Sequence, residues 1–166
     1  MEKAILFVMK TNRFQGAAVV VAVLLFFAAT VPYLHAQQQD WSIYTWETSL
    51  EQALAQAARE DKQVLVFFAG SDWCSWCDRL MVEVIETDRF QSFLDTYVVP
   101  VLIDFPRNIP ISAEQQEYNR ELAVRFAVSG YPTVFILDSS GGMRLRTGYR
   151  QGGADSYITH LLPALR

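Results

Sequence analysis

The chain of 166 residues contains two cysteines, Cys74 and Cys77, set three apart in Ser71-Asp72-Trp73-Cys74-Ser75-Trp76-Cys77. A C-x-x-C pair at the start of a helix is suited to redox chemistry. The first helical turn presents backbone N–H groups without intrahelical partners, together with the positive end of the helix dipole, and both stabilise a thiolate. Cys74 is therefore expected to be the nucleophile, with a pKa below that of a free thiol. Cys77 stands one turn further on the same face, and its companions Met81 and Val84 are core-type residues that shield it. The chemistry this permits is thiol–disulfide exchange. The Cys74 thiolate attacks a partner disulfide, a mixed disulfide forms, and Cys77 resolves it.

Other uses of the pair are weaker. Zinc takes about four protein ligands in a structural site, and beyond the N-terminal segment the chain has one histidine, His160, far from the cysteines. No metal and no cofactor are expected; the cysteine pair itself carries the electrons. As a permanent staple the pair would close so short a loop that it constrains the unfolded chain little.

The flanking segments must place this pair. Val64-Leu65-Val66-Phe67-Phe68-Ala69 is a continuous apolar run, as in a strand buried on both faces of a sheet. Cys77, Leu80, Met81, Val84 and Ile85 then recur at helical spacing. The pair thus lies where a buried strand gives way to a helix. Upstream, Thr48-Ser49-Leu50-Glu51 has the pattern of a capping box, opening a helix to about Asp61. Downstream, a helix is expected near Arg89–Leu94, a strand over Val98–Ile103 and a loop over Asp104–Pro110. A helix over Glu114–Phe126 and a strand over Thr133–Leu137 follow. A turn at Asp138–Gly142, a returning strand over Met143–Tyr149 and a closing helix over Ala154–Leu165 complete the pattern. A first strand is expected near Trp41–Tyr44. Strands alternating with helices, then a hairpin and a helix, describe an α/β domain.

Gly130-Tyr131-Pro132-Thr133 is a second constellation, with a proline directly before a strand. Most such prolines are trans and simply begin the strand; the alternative is a cis bond held by tertiary contacts. Tyr131 and Trp76 read either as ordinary surface aromatics or as part of a contact surface, whereas Trp41 and Trp46 suit the core.

The N-terminus speaks to location. Residues 16–31 are free of charge, follow Lys10 and Arg13, and precede Ala36 and a polar Gln37-Gln38-Gln39. This is the pattern of a secretory signal peptide over residues 1–36, leaving a domain over residues 37–166. Met9 is an alternative start. A retained membrane anchor is the rival reading, although the uncharged block is shorter than the ~20 residues a spanning helix needs. Both deliver the domain outside the cytoplasm. The net charge of −4 and the lack of a basic stripe argue against nucleic acid as a partner.

Taken together, Trp73-Cys74-Ser75-Trp76-Cys77 after a hydrophobic strand and Gly130-Tyr131-Pro132-Thr133 some way downstream resemble the thioredoxin superfamily over about residues 45–165. Gly70 to Cys77 is similar to the G-S-D-W-C-x-W-C signature of bacterial exported thioredoxin-like proteins, and Asp104-Phe105-Pro106-Arg107 resembles a segment of the same relatives. The chain is also similar to the C-terminal domain of thiol-disulfide interchange proteins. The resemblance implies a thioredoxin fold, with a central mixed sheet of four to five strands flanked by helices. It implies that Cys74 attacks, Cys77 resolves and Pro132 is a cis-proline facing them. Trp73, Trp76, Tyr131 and Pro132 would then meet an extended partner segment.

One departure stands out. Thioredoxins carry a buried carboxylate on the strand before the active site, and alignment places Val66 there. Strong oxidants of the superfamily usually place a histidine between the cysteines; Ser75-Trp76 supplies none, which favours a reductase over an oxidase. The expectation is a monomer acting in the periplasm on exported proteins with disulfides or thiols, recharged by a membrane thiol-disulfide electron donor. The contrasting expectation is a non-catalytic binding module that keeps the fold and holds partners through Tyr131 and Trp76.

Overall fold

In the computed structural model the described residues are Trp41 and residues 45–166. The expected signal peptide lies outside them, as does most of the expected first strand. Trp41 itself is in a 3₁₀ turn and stacks on Phe67 with ring centroids 5.6 Å apart.

Helix α1 (Leu50–Glu60) leads into β1 (Gln63–Ala69), which contains the six-residue apolar run and lies inside the sheet. Helix α2 (Ser75–Leu80) follows, running on into a π-helical turn over Met81–Ile85. Then come α3 (Asp88–Tyr97), β2 (Val98–Asp104), α4 (Ala113–Arg125), β3 (Thr133–Leu137) and β4 (Met143–Thr147). Helix α5 (Gly153–Leu161) and a 3₁₀ turn over Leu162–Leu165 close the chain. The strand order is β2-β1-β3-β4, with β2 parallel to β1 and both hairpin strands antiparallel to their neighbours. Four strands thus form the mixed sheet, and Glu47 adds an isolated parallel bridge to Val101 beyond β2.

Alternation along β1 sends its side chains to two cores. Leu65, Phe67 and Ala69 face α2, α3 and α5, packing with Cys77, Leu80, Phe90, Tyr157 and Leu161. Val64, Val66 and Phe68 face α1 and α4, packing with Leu50, Ala53, Leu122 and Phe126. Helices on both faces explain why β1 reads as a continuous apolar run rather than an alternating one. Each large side chain so buried contributes roughly 1.5–3 kcal/mol.

Local chemistry departs from the expected elements at four places. The first helix is capped by Ser49 rather than Thr48: the Ser49 hydroxyl accepts from Gln52 N–H at 3.3 Å, and Leu50 N–H donates to the Tyr118 hydroxyl at 2.7 Å. The active-site helix widens at Met81, where Glu86 N–H donates to the Met81 carbonyl at 2.8 Å, five residues back. The returning strand ends at Thr147, before Gly148 and Tyr149, and the last helix tightens to 3₁₀ at Pro163, which has no N–H to donate.

Candidate active site

Cys74 is the N-cap of α2. Its backbone is extended (φ −96°, ψ 91°), and its Sγ accepts a hydrogen bond from Cys77 N–H at 3.2 Å. The side chain therefore takes the place that a serine or aspartate oxygen fills in an ordinary cap. The two sulfurs are joined as a disulfide with Cα atoms 5.2 Å apart. Cys74 keeps 6% of its surface exposed at the rim, while Cys77 is wholly buried against Leu80 and Met81. One sulfur is reachable and its mate is sheltered.

The three residues before Cys74 are each tied to the end of β2 or to the loop that follows it. The Asp104 carboxylate accepts from both Ser71 N–H (2.9 Å) and the Ser71 hydroxyl (2.5 Å). The Asp72 carboxylate accepts from the backbone N–H groups of Arg107, Asn108 and Ile109. The Trp73 indole N–H donates to the Phe105 carbonyl at 2.7 Å. Gly70 makes room for this, since a Cβ there would overlap the Trp73 ring. Ser71-Asp72-Trp73 and residues 104–109 form one clasp beneath Cys74.

The clasp sets the local charge. Burial pushes Asp104 above the ordinary carboxylate range against the opposing Ser71 bonds, with the Asp72 charge adding to the rise. Burial pushes Asp72 in the same direction, but the backbone N–H groups of residues 107–109 outweigh it and hold that acid below its usual value. Tyr131 is raised by burial and then by the Asp104 charge.

Two aromatic groups flank the pair. On one side Trp73 meets Tyr131 edge-on at 5.6 Å, Tyr131 packs on Phe105 at 5.3 Å, and the Arg107 guanidinium lies over the Trp73 ring at 3.9 Å. On the other, Trp76 is 51% exposed and packs against Tyr149 at 5.3 Å, with Arg79 over both rings. Arg79 donates twice to Glu83, and the Tyr149 hydroxyl donates to the other Glu83 oxygen. Glu83 is held low first by that tyrosine bond and then by Arg79.

The structure brings together the sequence-derived residues Cys74, Cys77, Trp73 and Tyr131, and places Trp76 on the exposed flank. The Tyr131–Pro132 peptide bond is cis. Val66 is fully buried on the opposite face of β1 from the core containing Cys77. The site carboxylates that sequence reasoning passed over are Asp104 and the clasping role of Asp72. An acid ending an apolar strand was the available signal for Asp104. Among the described residues no group of three or more His, Cys, Asp or Glu could hold a metal ion.

Comparison with known proteins agrees with this geometry. A family model described as thioredoxin-like matches residues 45–139. The disulfide bond reductase DsbH of Chlamydia pneumoniae is 31% identical over 121 residues, covering 73% of this chain and 72% of that protein.

The chain belongs to the thioredoxin-like family.

The structure of a DsbH oxidoreductase is similar at TM-score 0.69 and 30% identity, covering 78% of this chain and 92% of that one. The oxidised C-terminal domain of Neisseria meningitidis DsbD shares the fold at TM-score 0.50 and 18% identity, covering 74% of this chain and 100% of that one. In this thioredoxin-like chain the cysteine spacing, the strand-to-helix position and the unequal burial of the sulfurs are those of a thiol–disulfide oxidoreductase. The pair is its electron carrier, and the family requires no further cofactor.

Proposed function

We propose that the protein is exported and reduces or exchanges disulfides in other exported proteins, with Cys74 as nucleophile and Cys77 as resolving thiol. The observation that carries this reading is the Cys77 N–H aimed at Cys74 Sγ at the mouth of α2. In the reduced protein that donor and the helix dipole stabilise a thiolate on Cys74, and burial keeps Cys77 from attacking partners itself.

The cycle balances within the pair. Cys74 thiolate attacks one sulfur of the partner disulfide, and the departing sulfur takes up a proton. Cys77 then gives up its proton and attacks Cys74 Sγ, releasing the partner's second thiolate. The partner leaves as a dithiol and the protein as the Cys74–Cys77 disulfide; a membrane thiol-disulfide donor would return the two electrons. Trp73, Trp76, Tyr131 and Pro132 form the face that meets the partner segment. The reductive direction is supported by the similarity to a protein named a disulfide bond reductase and by the absence of histidine between the cysteines.

Insulin-disulfide reduction with dithiothreitol as donor tests the reading. Wild type should accelerate it and Cys74→Ser should not; equal inertness of the two removes the enzyme reading. Cys77→Ala should accumulate mixed disulfides in extracts of the exported fraction. Equilibration with glutathione gives the direction: a potential near about −270 mV marks a reductant and one near about −120 mV an oxidant.

A further inference from the structure

The two flanks of the cysteine pair look alike in aromatic content, but they differ in charge. On the Trp76 flank, Arg79 is already neutralised, because it makes an ion pair with Glu83 at 3.0 Å and both its donors there are used. On the Trp73 flank, the Arg107 guanidinium lies 3.9 Å from the ring centroid and takes part in none of the ion pairs among the described residues. The Asp72 carboxylate of the clasp directs its oxygens at the backbone N–H groups of residues 107–109.

Arg107 is also held in place although it is exposed. Its own backbone N–H donates to both Asp72 oxygens, at 2.9 and 3.1 Å. Pro106 fixes the φ before it, and the Phe105 carbonyl is anchored by the Trp73 indole at 2.7 Å. A guanidinium centred 3.9 Å over an indole ring and free of ion pairs among the described residues keeps N–H donors for a ligand, and paired N–H groups of this kind grip a carboxylate.

We propose that Arg107 is a specificity-determining residue, which selects partner segments carrying a carboxylate side chain on the Trp73 side of the disulfide being exchanged. This rests on the oxidoreductase reading above and adds to it the charge of the substrate. Trp73 is the chain neighbour of Cys74, so the cation stands within a few residues' reach of a partner cysteine. An extended segment advances about 3.3 Å per residue, so the selected acid is expected about three residues from that cysteine.

The experiment uses the reduced protein and synthetic peptides containing one internal disulfide. Matched peptides carry Glu, Gln or Lys three residues before the disulfide, and a second set carries them three residues after it. Each turnover oxidises the Cys74–Cys77 dithiol and reduces one peptide disulfide, so the rate is read from peptide thiol formed. In one of the two sets the Glu peptide should react about fivefold faster than the Lys peptide, the upper end for an exposed ion pair. In Arg107→Glu that order should reverse, and in Arg107→Gln, the milder variant if the first misfolds, the ratio should fall to about one. Equal rates for all peptides in both sets overturn the proposal and leave the oxidoreductase reading intact. A preference that persists in both variants also overturns it, because another group would then be reading the charge. If no peptide is reduced faster than by Cys74→Ser, the proposal and the reading beneath it fall together.

Discussion

The carbonyl oxygen of Pro132 lies 2.9 Å from where a Cβ on Gly148 would stand. The glycine thus lets the chain leaving β4 pass close to the cis Tyr131–Pro132 segment. Its own carbonyl is fixed there, accepting from the buried Tyr157 hydroxyl at 3.0 Å.

Gly148→Ala should therefore force backbone apart at the Tyr131-Pro132 segment and destabilise the fold by about 1–3 kcal/mol, as overpacking does. Gly130→Ala is the control, since its Cβ would meet nothing within 4 Å, and it should stay within about 0.5 kcal/mol of wild type. Urea denaturation midpoints separate the two. Equal midpoints would contradict the close approach.

Asp72→Asn removes a carboxylate that accepts from three consecutive backbone N–H groups. The expected loss is about 1–2 kcal/mol at neutral pH, given charge-assisted bonds discounted for solvent exposure. The sign with pH follows from a folded-state pKa held below the unfolded one. The contribution is complete above the unfolded value and fades as pH falls through the folded value. The gap in thermal midpoint between wild type and Asp72→Asn should accordingly narrow in acid, below about pH 4. A gap independent of pH would show that the charge is not what holds the loop.

Asp104 titrates in the opposite sense. Burial raises its folded-state pKa above the unfolded value, so the folded protein binds this proton first as the solution is acidified. Wild-type stability should gain on that of Asp104→Asn as pH falls from 7 through the raised pKa, and level off below the unfolded one near about 3.9. Paired denaturation curves at pH 7, 6, 5 and 4 measure the gap. A wild-type stability that falls relative to Asp104→Asn as the pH is lowered over this range would contradict the assignment.

The elements that place the cysteines were legible because their signals are local. The six-residue apolar run of β1 and the three-residue spacing of Cys74 and Cys77 each fit inside one window of sequence. The clasp was not legible, because its bonds join Ser71, Asp72 and Trp73 to Asp104, Phe105 and Arg107 across more than thirty residues. No propensity or period marks such a pairing. The shift of the cap from Thr48 to Ser49 has a similar cause: the Tyr118 hydroxyl, from another helix, takes the Leu50 N–H. Sequence also aligned Val66 with a missing acid without showing its face; the strand pleat turns that side chain toward α1 and α4. The acids that do serve the Cys74 turn come from its own flank and from the end of β2.

All of this chemistry depends on a sulfur at Cys74 that ionises more readily than a free thiol. The direct measurement is the rate of iodoacetamide alkylation against pH for the reduced Cys77→Ala protein, with Cys74→Ala as the complement. Cys74 should react with an inflection well below the free-cysteine value of about 8.5, and Cys77 should react slowly at neutral pH. Matching profiles for both, each with its inflection at or above that value, would contradict a helix-stabilised nucleophile at Cys74.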